Sequence, residues 1–216
     1  MDVLGALESG DKYQLKVDGL PYAVGIPKVR IPGKGGTGKV LTIASFNLVG
    51  QVRLNADLGR LLARKIRSVI PDMAGLAVLT VVEKALMLTQ VAAMELGLEA
   101  VAVAYNRVKP HMEAERRPTI QVGADSVTSG SKFLALYERD LNLLAAAESY
   151  ILIDDVVSTG GTILALADLL DEVRRQKGLP PADIRGIFCV AQEGKSHPLL
   201  PAPLHSLATL PEPVAG

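Results

Sequence analysis

ILIDDVVSTGGTI, Ile151 to Ile163, is the stretch from which the rest of the chain can be read. It sits within YILIDDVV, Tyr150 to Val157, a run of strand length that is apolar on both faces except at Asp154 and Asp155, the pattern of a strand buried inside a sheet. A turn of Ser158, Thr159, Gly160, Gly161 and Thr162 follows. TILALADLLDEVRRQKG then places Ile163, Leu166, Ala167, Leu170 and Val173 on one helical face and closes on cations and Gly178, as a helix terminus does. A helix opens with unpaired N–H groups and partial positive charge, so a phosphate at this turn meets aligned donors. Glycines permit close approach, and the three hydroxyls add donors. Two adjacent carboxylates would repel that phosphate and must face something else. The vicinal hydroxyls of a ribose fit, because each carboxylate accepts one hydrogen bond, worth roughly 1.5–3 kcal/mol when the acceptor is charged.

Outward from this unit the same alternation recurs. Leu58, Leu61, Leu62, Ile66 and Val69 repeat at helical spacing from Asn55 to Val69, and Pro71 stops that helix. LAVLTVV, Leu76 to Val82, is an apolar strand, ALMLTQVAAMELGL a helix capped by Gly97, and AVAVAY, Ala100 to Tyr105, another strand. IRGIFCVAQE is the last strand, ahead of a Pro-rich tail. Strands apolar on both faces, alternating with helices, predict an α/β fold: a mostly parallel central sheet with helices on both faces. Residues 1–50, short strands broken by Gly and Pro, and residues 186–216 are expected to pack together as a small irregular hood. Residues 51–185 then form the core of a single domain spanning 1–216. The charged stretch NRVKPHMEAERRPTIQVGADSVTSGS reads as a long mobile loop or a loose hairpin. Its Met112–Ser131 portion has the length and composition of a lid, with Gly123 and Gly130 as hinges.

With 49% apolar residues the chain buries a proper core, and its 23 basic and 23 acidic side chains cancel. No global field draws it to nucleic acid or to an anionic membrane, so any anion site is local. No apolar run approaches the roughly 20 residues of a membrane helix, and no basic segment followed by a hydrophobic one opens the chain; a soluble, cytoplasmic protein is expected. The one cysteine, Cys189, lies among Ile187, Phe188 and Val190 and reads as a buried strand residue.

GKGGTGKV, Gly33 to Val40, imitates a nucleotide-binding loop, with Gly33, Gly38 and Lys39 in register. Such a loop needs Ser or Thr after its Lys and then a helix. Val40 follows instead, and VLTIASF has no helical face. The stretch reads as a glycine-rich hairpin tip, which leaves an ATPase built on Lys39 without its context.

ILIDDVVSTGGTI closely resembles the phosphoribosyl-pyrophosphate (PRPP) signature of the type I phosphoribosyltransferases, and the likeness continues more faintly from about Leu76 to the C-terminus. It implies that Asp154 and Asp155 hold the ribose 2′ and 3′ hydroxyls, that the loop Ser158, Thr159, Gly160, Gly161, Thr162 cradles the 5′-phosphate, and that Val156 and Val157 belong to the same PRPP-binding stretch. VVEKALMLTQVAAMELGLEAVAVAYNRVKP is similar to a segment of the adenine and xanthine enzymes. By that likeness Glu83 and Lys84 begin a pyrophosphate-binding turn, and Lys109 reaches the pyrophosphate from a second loop. The family's small residue and Gly after the Glu are replaced by Lys84 and Ala85. Its Arg-Lys pair near Tyr105 and Asn106 is absent, Arg107 being the substitute one register away. Ser158 stands where the hypoxanthine and guanine branch carries an Asp, and GIFCVAQEGKSH resembles a late strand of the xanthine type, matching faintly at Glu193 and Lys195. The resemblance therefore implies purine salvage: PRPP and a purine base, adenine or xanthine, react with release of pyrophosphate. It further implies Mg²⁺, held indirectly through water by Asp155, and a homodimer. A PRPP-binding regulator without turnover is the alternative, although no separate DNA-binding helical domain is present.

Overall fold

The computed structural model describes residues 10–32, 40–113, 117–122, 133–194 and 199–215. Its centre is a five-stranded, all-parallel sheet in the order β10-β9-β8-β4-β5. The strands are β4 (Leu76–Val81), β5 (Ala102–Ala104), β8 (Ser149–Val157), β9 (Ile184–Glu193) and β10 (Leu204–Leu210). Successive residues point to opposite faces, and two cores result. Val78, Ile151, Ile153 and Phe188 pack on one face with Leu54, Leu58, Leu62 and Ile66 of α1 (Val52–Val69) and Leu88 of α2 (Leu86–Leu96). Leu79, Leu152, Ile187 and Cys189 pack on the other with Leu141 and Leu144 of α4 (Glu138–Ala146) and Leu166 and Leu170 of α5 (Gly161–Gln176).

The α/β reading of the sequence holds, and most elements fall where it put them. Helix α1 begins three residues before the expected start. The Asn55 amide, 2% exposed, donates to the Leu48 and Gln51 carbonyls at 2.6 and 2.8 Å and so extends the first turn upstream. Gly97 closes α2 at φ 77°, its N–H reaching the Ala93 and Met94 carbonyls, the left-handed cap that a glycine adopts without strain.

The hood is more regular than expected and is composed differently. β1 (Lys12–Leu15), β2 (Val24–Pro32), β3 (Val40–Ala44) and β11 (Val214–Ala215) form an antiparallel four-stranded sheet in the order β1-β2-β3-β11. Both ends of the chain thus meet in it, but residues 186–216 do not belong to it as a block. β9 and β10 are rows of the central sheet, and only Val214–Ala215 crosses to the hood. Prolines at 198, 201 and 203 masked the strand from Leu204; they stand before it, and β10 is an edge that pairs with β9 alone.

Within the charged segment, α3 (Pro110–Glu113) precedes an antiparallel hairpin of β6 (Ile120–Val122) and β7 (Leu134–Leu136), and Tyr105 bridges to Ala135. Helix α4 follows the hairpin. The proposed hinges Gly123 and Gly130, much of the 112–131 lid, and residues 33–39 of the glycine-rich stretch lie outside the described residues.

Candidate active site

Strand order in the sheet reverses beside β4: β5 lies on one side of it and β8 on the other. Ligands in open α/β sheets bind outside the carboxyl ends of the strands at such a switch point. A cavity of about 570 Å³ opens there. Its floor is Asp154, Asp155 and Val156 of β8 with Thr162 of α5, one wall is Val81 to Lys84 behind β4, and Ile43 to Phe46 of the hood form the roof. Asn106, Phe133 and Leu134 close one side, and Glu193 stands at the end of β9.

Both aspartates are 6% exposed. The Asp155 backbone N–H donates to Asp154 Oδ1 at 2.9 Å, while Asp155 Oδ2 is buried without a hydrogen-bond partner. Burial pushes the Asp155 carboxyl above the ordinary carboxylate range, and the neighbouring Asp154 carboxyl and the Lys84 ammonium pull in the opposite direction. An orphaned carboxylate oxygen under a cavity is costly unless something donates to it. Strand β8 accommodates the pair by a slip in its alternation. Ile151 and Ile153 pack in the first core, yet so does Val156, while Val157 joins Leu152 in the second; the regular two-residue period is broken between Ile153 and Val156.

The turn behind the aspartates is an anion cradle in form. Gly160 caps α5 at φ 80°, a conformation that costs an L side chain about 1–2 kcal/mol. No side chain caps this helix. The first backbone bond back to the cap is from Leu164 N–H to Gly160 O at 2.9 Å. Ser158 and Thr162 are half-buried, and Thr159 and Gly161 are exposed.

The pyrophosphate residues expected from the sequence divide. Glu83 and Lys84 line the cavity, and Lys84 Nζ lies 3.4 Å from the Phe46 carbonyl, tying the β4 turn to the hood. The Val82–Glu83 peptide bond is cis. Arg107 is exposed in the turn after β5, and Lys109 lies 4.9 Å from the Tyr105 ring centroid in a cation–π contact; neither lines the cavity. Lys195 lies outside the described residues. Cys189 is buried under the site with its thiol raised well above its usual range by desolvation, as befits a packing residue and not a nucleophile. Phe46 and Phe133, far apart in the chain, were not singled out in the sequence. Short apolar runs carried them, and nothing local marks either as lining a cavity.

No protein-family model matches the sequence, and no curated protein matches it. Among solved structures the fold is similar to that of adenine phosphoribosyltransferases. The Rhodothermus marinus enzyme is 16% identical over 85% of this chain and 94% of its own, with a TM-score of 0.52. The Thermoanaerobacter pseudethanolicus enzyme is 15% identical over 85% and 95%, with a TM-score of 0.51. The Saccharomyces cerevisiae enzyme, solved in complex with adenine, is 13% identical over 83% and 93%, also at 0.51. The chain therefore has the type I phosphoribosyltransferase fold.

Proposed function

We propose that this chain transfers the 5-phosphoribosyl group of PRPP to a purine base, adenine or xanthine, and releases pyrophosphate, a purine-salvage reaction. The observation that carries the reading is the buried aspartate pair with its orphaned Asp155 Oδ2, set one turn before a helix start that no side chain caps. In this reading Asp154 and Asp155 accept hydrogen bonds from the ribose hydroxyls, and the amides at Gly161, Thr162 and Ile163 with the hydroxyls of Ser158, Thr159 and Thr162 hold the 5′-phosphate. Val156 and Val157 set the spacing between the two. As the bond from ribose C1′ to pyrophosphate breaks ahead of bond formation to the base, positive charge grows on the ring and negative charge on the leaving group. Lys84, on the cavity wall, offsets the latter, with Glu83 beside it. Phe46 and Phe133 supply apolar surface for the base, and the hood excludes water that would compete for C1′.

Magnesium fits these donors. It is commonly held by one or two carboxylates together with substrate phosphates and water, and Asp155 offers a hard oxygen with no partner. When bound through water at Asp155, the ion supplies neutralisation of the pyrophosphate oxygens. The homodimer and the cytoplasmic setting belong to the same reading; no helix among the described residues is long and apolar enough to cross a membrane.

A PRPP-binding regulator is the second reading. It is favoured by the placement of Arg107 and Lys109, which leaves Lys84 as the one cation lining the cavity among the described residues. Incubation with Mg²⁺, PRPP and, in turn, adenine, xanthine, hypoxanthine, guanine and orotate separates the two. Pyrophosphate release with a purine is expected; PRPP binding without release with any base would make the chain a sensor.

A further inference from the structure

Strands β4 and β8 separate at one pair of residues. Their ladder ends with Thr80 opposite Ile153. From there the β4 ladder continues with β5, through Val81 opposite Ala104 and the Val82 N–H on the Ala104 carbonyl at 3.0 Å. The β8 ladder continues with β9, from Asp154 opposite Cys189 to Val157 opposite Gln192. The active cavity opens in the gap between them, with Val81 to Lys84 on one side and Asp154 and Asp155 on the other. The two walls proposed to hold PRPP therefore diverge from a single point.

That point carries the one polar side chain of β4. Thr80 interrupts Leu76–Val81, otherwise wholly apolar, and is 0% exposed. A hydroxyl so buried is costly unless it is bonded, and here it donates to the Ile153 carbonyl at 2.8 Å, immediately before Asp154. Its direction is fixed from behind. The Thr89 hydroxyl of α2, 1% exposed, donates to Thr80 Oγ1 at 3.3 Å, so a group that otherwise rotates to suit its partners is aimed at β8. The two hydroxyls join α2, which starts directly after the Glu83–Lys84 turn, to the strand end that bears the aspartates. Neither threonine lines the active cavity.

We propose that Thr80, aimed by Thr89, is a positioning residue for PRPP: it sets the separation between the aspartate pair on β8 and the Glu83–Lys84 turn after β4, and so the fit of ribose and pyrophosphate together. The role rests on the phosphoribosyl reading of the cavity. It acts through the backbone, without contact to substrate, and it is exacting because a misplacement of about 1 Å can cost on the order of a hundredfold in rate.

Two substitutions in the full chain separate positioning from packing. Thr80→Val keeps the shape and removes the hydroxyl, whereas Thr80→Ser keeps the hydroxyl and removes a buried methyl. Both should lower the unfolding midpoint, but only Thr80→Val should lower kcat/KM for PRPP, about tenfold for a shift of a fraction of 1 Å, with a matching loss of PRPP affinity in calorimetry and an unchanged KM for the purine. Amide exchange at Asp154 and Asp155, followed by NMR without substrate, should quicken in Thr80→Val and stay at the wild-type rate in Thr80→Ser. Should Thr80→Val not fold, Thr89→Val, which leaves β4 intact and frees the Thr80 hydroxyl to rotate, should show a smaller loss in the same direction. Thr80→Val within about twofold of a wild type that uses or binds PRPP, or an equal loss in Thr80→Ser, would overturn the positioning role and leave the phosphoribosyl reading standing. A wild type that binds no PRPP would overturn both, whatever the exchange rates.

Discussion

The turn from β8 into α5 and the turn from β4 into α2 leave adjacent strands of one sheet at the same edge, and both face the same cavity. The β8 turn buries its two charges, places a glycine at φ 80° as the cap, and brings Thr162 of the helix start to the cavity. The β4 turn does the reverse. Glu83 and Lys84 are exposed, the cap is Ala85 in a right-handed conformation, and no glycine lets a ligand approach the backbone. In the proposed reading, one topology yields two kinds of anion contact. Backbone dipoles held rigidly suit a group that stays bound, such as the 5′-phosphate, whereas a flexible ammonium suits a group that must leave.

That contrast can be broken at graded cost. Asp154→Asn or Asp155→Asn should lower kcat/KM for PRPP about tenfold to a hundredfold, since each removes one charged hydrogen bond; an unchanged rate would mean the ribose lies elsewhere. Gly160→Ala, which forces a side chain into the left-handed region, should cost about 1–2 kcal/mol of stability and weaken PRPP roughly tenfold, read by denaturant titration and by the KM for PRPP. Lys84→Ala should have a milder effect, roughly twofold to fivefold at neutral pH, as expected of a partly exposed charge. It also has a sign to check. The Lys84 charge holds the Asp155 carboxyl down against burial, so its removal raises that carboxyl further and moves the acid limb of the pH–rate profile to higher pH.

The smallest effect is on stability. The folded Asp155 binds its proton more readily than the unfolded chain does. Its contribution is therefore fully present below the unfolded carboxylate value of about 3.9 and is lost as pH rises through the raised folded value. Asp155→Asn should raise the unfolding midpoint at pH 7 by a few degrees, with the gain vanishing near pH 4; a lower midpoint at pH 7 would show that the carboxylate holds the fold and is not a cost borne for ligand.

Much of this site was legible because it is local. Strand, acidic pair, glycine turn and helix occupy one continuous stretch, and each step has a chemical reason visible in neighbouring residues. The same holds for Gly97 and for the failure of GKGGTGKV, where Val40 opens strand β3 and not a helix. What was not legible lay in long-range pairing. β10 is hidden in a Pro-rich tail because its strand character comes from lying against β9, and the hood takes only Val214–Ala215 from the C-terminal region because β11 pairs with β3. Lys109 carries the right charge for a pyrophosphate loop, yet the nearby Tyr105 ring offers its ammonium a contact away from the cavity.

Periodicity and turn chemistry in the sequence by themselves determined the α/β alternation, the buried strand that ends in Asp154 and Asp155, and the helix start that follows, since all of these depend on residues a few positions apart. Only the tertiary structure decided that Phe46 of the hood, Lys84 behind β4 and Glu193 at the end of β9 surround those aspartates, and that one carboxylate oxygen is left without a partner. Those facts depend on sheet order and on burial, and burial is a property of everything that packs around a residue and not of the residues beside it in the chain.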